Sequence, residues 1–116
     1  MVRTNRNIKL YSKIVVAWLS DFVARRTNTT DATYELITDE VRHHYQVVRT
    51  GFLEDRFYYK VVFHLHIKED AKIWILVNNT DLLLTDDLIQ NGIPKSDIVI
   101  GFLAPSVRAY TGFASV

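Results

Sequence analysis

A period of two runs from Phe57 to Lys68, where Phe57, Tyr59, Val61, Phe63, Leu65 and Ile67 interleave with Tyr58, Lys60, Val62, His64, His66 and Lys68. One-sided burial on a helix would repeat every 3.6 residues, so this stretch predicts a strand with its odd-numbered side chains in a core and its even-numbered ones outside. A strand with one apolar side needs partners in a sheet and a cover for that side. Residues 33–39, 43–52 and 72–78 read as three further strands beside this one at 56–68. Gly51 to Asp55 and Glu69-Asp70-Ala71 are short enough to join neighbours as hairpins, which predicts an antiparallel four-stranded meander.

The cover is encoded upstream. Ile8, Tyr11, Val15, Trp18 and Phe22 are spaced by threes and fours, which predicts a helix from about Thr4 to Arg26 with Lys9, Lys13, Ser20 and Arg25 on its wet side. Arg25 and Arg26 suit its negative C-terminal end, and Thr27-Asn28-Thr29-Thr30-Asp31 breaks the chain before the first strand. A second helix is expected near Asp81, capped by Thr80 or Asp81, with Leu82, Leu83, Leu84, Leu88 and Ile89 as its buried side and Asn91-Gly92 as its end. Lys95-Ser96-Asp97 reads as a turn, and Ile98-Val99-Ile100 fits either a strand or buried coil. The remaining tail carries Phe102, Tyr110 and Phe113 with two turn glycines, a composition too costly to leave in water, so it should pack on the domain or on a second copy. The fold class is thus α+β: an N-terminal helix on an antiparallel four-stranded meander, then a second helix and an ordered C-terminal segment, in one domain over residues 1–116.

Composition removes several function classes. Fourteen basic against thirteen acidic side chains leave a formal charge of +1, whereas chains that live by neutralising phosphates carry a marked basic excess. The chain has no cysteine, so disulfides, thiolate zinc sites and cysteine nucleophiles are excluded, and a cytoplasmic location fits. The run Ile14 to Leu19 behind Arg3, Arg6, Lys9 and Lys13 is too short for a signal sequence and is followed by Asp21, and no run approaches a membrane span.

All four histidines, His43, His44, His64 and His66, fall in the second and third strands. A hairpin about Leu53 and Glu54 would set His43 opposite His64, bringing His43, His64 and His66 together as candidate metal ligands. Solvated imidazoles on the wet side of a hairpin explain the same positions, and a one-residue slip separates them, so no metal site is assigned. The acidic pairs Asp39-Glu40, Glu54-Asp55, Glu69-Asp70 and Asp86-Asp87 sit at turns or a helix start, where solvated charge belongs, and no Gly-x-Ser-x-Gly elbow or glycine-rich phosphate loop is present. No catalytic residue and no cofactor is expected. Tyr58, Lys60, Val62 and Trp74 are expected to share the outer side of the sheet as a partner surface, and Arg108, Tyr110 and Phe113 have the residue types of interfaces. Arg3, Arg6, Lys9, Lys13, Arg25 and Arg26 are the candidates for contact with DNA.

Several blocks in order along the chain carry a resemblance. They are His44 to Val48, Gly51-Phe52, His64 to Lys68, Lys72 to Ile75, Asn79 to Asp81, Gly92 to Phe102 and Arg108 to Ala114. From Arg42 to Val116 the chain resembles the XisI-like family, the fdxN-element excision controlling factors of cyanobacteria. The resemblance implies a small α+β protein that works with a companion, XisH, to control a site-specific recombinase, XisF, during heterocyst development. It implies no cofactor and no catalytic residue. His66 stands where the family block would carry an acidic residue, and His43-His44-Tyr45 replaces an Asp-His-Tyr, so the histidine cluster is not a family-wide metal centre. The expected function is a non-enzymatic accessory factor for DNA excision that acts through protein contacts, with a homodimer and no membrane association. The alternatives are weak DNA binding by the basic helix and a metal-dependent hydrolase at the histidines.

Overall fold

A computed structural model describes residues 2–115. Its elements are helix α1 (Val2–Ala24), strands β1 (Thr33–Asp39), β2 (His44–Leu53), β3 (Arg56–Ile67) and β4 (Ile73–Asn78), helix α2 (Leu84–Gln90), a 3-10 turn (Lys95–Asp97), strand β5 (Ile98–Ile100) and a last helical turn α3 (Pro105–Arg108). The strands lie in chain order in one sheet, β1 to β4 antiparallel. The segment left open in the sequence is β5, which pairs parallel with β4 through Ile73–Ile98, Trp74–Val99 and Ile75–Ile100. The sheet is therefore five-stranded and mixed rather than a four-stranded meander. A parallel neighbour requires a long crossover, and the segment holding α2 supplies it.

Burial of Tyr11, Val15, Leu19 and Phe22 explains why α1 lies across the sheet: at 3.6 residues per turn these positions form one stripe, and they meet Tyr45, Val47, Phe63, Leu65 and Ile67. Each fully buried chain of this size contributes roughly 1.5–3 kcal/mol. Phe63 anchors the layer, with Trp18 and Phe22 edge-on at 5.1 and 4.9 Å between ring centroids. Two hydrogen bonds tie the helix to the C-terminal half: Tyr11 donates to Asp97 Oδ2 at 2.5 Å, and Trp18 Nε1 donates to Asp87 Oδ2 at 2.8 Å. Burial and the neighbouring Asp97 carboxylate hold the Tyr11 phenol well above its usual range.

The expected alternation in β3 holds for only half its length. Val47 faces Phe63 but Val48 faces Val61, so Val62 is an extra residue, a β-bulge that shifts the phase of everything before it. Phe63, Leu65 and Ile67 are in the core as expected, whereas Phe57 and Tyr59 are 59% and 60% exposed. Val62 is buried at 5% in the core beneath α1, not on an outer patch.

The second helix starts later than expected, at Leu84, without a side-chain cap. Thr80 is occupied elsewhere, since its hydroxyl donates to Asn78 Oδ1 and accepts from the Leu82 amide. Leu82 and Leu83 consequently stay outside the helix and exposed, while Leu84 and Leu88 are buried. Gly92, at φ +103, ends α2 as expected, with Ile93 donating to the Leu88 carbonyl. The tail is held down on its own chain: Phe113 packs on the core and the Ala114 amide donates to the Ile98 carbonyl on the outer edge of β5.

Candidate functional site

The side of the sheet away from α1 meets the C-terminal segment at Trp74, and the register defines what it displays. One row crosses all five strands as Asp39, His44, His66, Trp74 and Val99, and the next reads Ile37, Gln46, His64 and Val77. The imidazoles do come together, but as a different trio from the expected one. The hairpin turns about Glu54 and Asp55, one residue later than assumed, and the extra residue Val62 then changes the parity of the pairing, so His44 rather than His43 faces the third strand. His44 and His66 stack at 3.8 Å, and His44 Nδ1 lies 3.0 Å from His64 Nε2. That contact needs a proton on one nitrogen and a lone pair on the other, so the pair shares a single proton there. Burial, then the neighbouring His44, lowers the basicity of both His64 and His66. His43 instead occupies the β1–β2 turn at φ 60, its Nδ1 3.0 Å from the Tyr45 hydroxyl on the α1 side. Among the described residues no group of three or more His, Asp or Glu is placed to hold a metal ion. Asp39, the nearest carboxylate in the row, already accepts the Val41 and Arg42 amides at 2.9 Å, which keeps it below the usual carboxylate range.

Beside the histidines, Trp74 and Arg108, which the sequence reading had assigned to separate surfaces, meet. The Arg108 guanidinium lies 4.8 Å from the Trp74 ring centroid and Lys68 Nζ lies 3.7 Å from it. Arg108 also donates to the Gly101 carbonyl at 3.2 Å. Gly101 lets the tail come this close, because a Cβ there would stand 2.9 Å from Leu76 Cδ2 and 3.1 Å from Trp74 Cε3. Tyr58, Lys60 and Val62 do not join this surface, since the bulge turns them toward the α1 side, where Tyr58 lies under Arg49 with 5.0 Å from guanidinium to ring. Tyr110 is almost wholly exposed, and Phe113 is half-buried under Lys95. In place of Tyr58, the outer face gains an exposed aromatic group: Phe57 and Tyr59, which the sequence reading had put in the core, with Phe57 edge-on to Phe52 at 5.4 Å. Glu35 and Asp39 place charge on this face at β1, and Lys68 and Arg108 place it at β4, with the exposed aromatics at the β2–β3 hairpin end.

The basic candidates divide. Arg3, Arg6, Lys9 and Lys13 are exposed on α1 and make no ion pair among the described residues. Arg25 is bound to Asp21 at 2.8 Å. Arg26 is folded back, its guanidinium 3.5 Å from the Phe22 ring and its Nη1 on the Phe22 carbonyl at 3.1 Å, so it caps the helix. No helix among the described residues is long and apolar enough to cross a membrane.

Comparison with known proteins completes the description. A family model described as "XisI protein" matches residues 6–115. The chain is similar to a XisI-like protein from Anabaena variabilis ATCC 29413, at 33% identity and TM-score 0.88 over 94% of this chain and 99% of that one. It is also similar to the fdxN element excision controlling factor XisI of the same organism, at 27% identity and TM-score 0.82 over 95% of this chain and 99% of that one. No curated protein matches it.

Proposed function

The chain belongs to the XisI family, and from that premise we propose that it is an accessory factor in the control of site-specific DNA excision, acting through protein contacts and not by catalysis. The observation that carries this reading is the end-to-end match in fold to a protein that bears the name of an excision controlling factor. The outer sheet face supports the contact mode: exposed Phe52, Phe57 and Tyr59 at the hairpin end form the kind of patch that a protein partner covers, and the Trp74–Arg108 pair has the residue types that dominate binding energy at interfaces. The partners would be an XisH-type companion and, through it, a recombinase. No cofactor enters this reading.

The test is co-expression of the chain with the XisH-type protein of its own genome, followed by affinity capture and an excision reporter driven by the cognate recombinase. Capture of the companion, with excision that depends on this chain, supports the proposal. Phe57→Ser and Arg108→Ala should each weaken capture while leaving the fold intact. Failure to capture the companion together with excision indifferent to this chain refutes it. A second reading, direct DNA contact, is favoured by the unpaired Arg3, Arg6, Lys9 and Lys13 on one exposed helix face. It requires an affinity that falls steeply with salt, and a flat salt response rejects it.

A further inference from the structure

The flank of α1 that points toward α2 carries Leu10, Ile14, Ala17 and Asp21 at successive spacings of four, three and four. That spacing keeps the four residues on one side of the helix, and it reads the same from either end. Two clefts lie along this flank. One, of about 360 Å³, is lined by Lys13, Ile14, Ala17, Trp18 and Asn91. The other, of about 450 Å³, has Trp18, Asp21, Asp81, Leu82, Leu83 and Asp87 among its walls. They share Trp18 and so form one continuous trough. Leu83 in its wall is 68% exposed, and Leu10, one turn along α1 from Ile14, is 52% exposed. Charge is uneven along the same flank: Arg3, Arg6, Lys9 and Lys13 occupy the N-terminal half of α1 without a carboxylate, whereas Asp21, Asp81 and Asp87 border the C-terminal half against one cation, Arg25, which is paired with Asp21, so that end stays net acidic.

We propose that this flank is a homodimer interface in which α1 packs antiparallel against α1 of a second copy, about a two-fold axis beside residues 15 and 16. The seam maps onto itself only in that alignment, with Leu10 facing the partner's Asp21 and Ile14 facing the partner's Ala17, as an isologous contact requires. The small Ala17 side chain at the crossing lets the helices approach closely, and Leu10 enters the far end of the partner's trough between Leu82 and Leu83. The same alignment sets the basic half of each helix on the acidic half of the other. Arg6 and Lys13, one turn to either side of Leu10, flank the partner's Asp21. This charge match favours a second copy over an unrelated helix, because both halves of the complementary pattern lie on one chain.

Sedimentation or light scattering of the wild-type protein should give twice the chain mass. Ala17→Arg, at an exposed position, should halve that mass while the circular dichroism spectrum stays unchanged. Asp21→Arg should also dissociate the dimer, and adding Arg6→Glu to it should restore association in part. A monomeric wild type overturns the proposal. So does a dimer that survives Ala17→Arg, and loss of such a dimer in Phe57→Ser would assign the interface to the outer sheet face instead.

Discussion

The β2–β3 hairpin closes through only two residues, Glu54 at φ 50 and Asp55 at φ 66, and both occupy the left-handed region without being glycine. Consecutive left-handed residues make a type I′ turn, the form whose twist matches antiparallel strands and whose preferred residues are Asn followed by Gly. A side chain in that region costs roughly 1–2 kcal/mol, less for Asp and Asn, which are better tolerated there. Replacing Glu54→Asn and Asp55→Gly should therefore relieve about 2 kcal/mol, against about 0.5–1 kcal/mol for the added freedom of Gly in the unfolded chain. The net expectation is a gain of about 1–1.5 kcal/mol, read as a higher urea midpoint at unchanged slope. Glu54→Gln with Asp55→Ala is the control, because it removes the same two charges and keeps the strained backbone. The Asn-Gly variant should be clearly more stable than this control. If Ala stabilises as much as Gly, the gain comes from removing an acidic neighbour, and the argument from backbone strain is wrong.

Tyr11→Phe deletes a hydrogen bond to a carboxylate in a nearly buried setting and should cost about 1.5–3 kcal/mol, with hydrogen exchange rising first in the segment around Asp97. Gly51→Ala would place a methyl carbon 1.9 Å from the Asp31 carbonyl oxygen, so the loop before β1 must move, at a cost of about 1–3 kcal/mol in thermal or urea unfolding. His64 and His66 both titrate below the ordinary imidazole value of 6.5, so the unfolded chain takes up protons first as pH falls. Their contribution is thus intact above pH 6.5 and lost as pH drops through the lowered folded values, and a His64→Gln, His66→Gln double variant should show a melting temperature less sensitive to acid over that window.

The elements that local pattern determines were legible. The stripe of α1, the extents of the first four strands, the turn at Glu69-Asp70-Ala71 and the glycine end of α2 all follow from spacing and turn chemistry, and all are present. What escaped depends on pairing. Val61-Val62-Phe63 is apolar throughout, so nothing in the sequence marks the residue at which the ladder slips, and the slip sends Phe57 and Tyr59 to the outer face. Glu54-Asp55 lacks the Asn-Gly signature that would have fixed the turn, and the slip at Val62, which changes the parity of the pairing, exchanges His43 for His44 in the imidazole cluster. Ile98 to Ile100 is too short and too uniformly apolar to show a period, and its partner strand is fixed only when the crossover closes.

The motif blocks that link this chain to its family can be sorted by what their residues do here. Gly51 lies against the Asp31 backbone, Gly101 against Trp74 and Leu76, Ile93 and Ile98 fill the core, and Asp97 accepts from Tyr11. These residues have a packing reason to be what they are, so they argue for the fold and say little about activity. Lys68, Trp74 and Arg108 differ. They come from three separate blocks, more than thirty residues apart at the extremes, and converge on the side of the sheet away from α1. The core would close equally well over Ile73 and Ile75 without that stack, because those two neighbours supply the buried contacts of β4 while Trp74 points away from them. A tryptophan held between two cations outside the core needs a reason beyond packing, and contact with a partner supplies one. Trp74→Leu should accordingly weaken capture of a companion more than it lowers stability, and a variant that loses stability while keeping full capture would return Trp74 to the structural group.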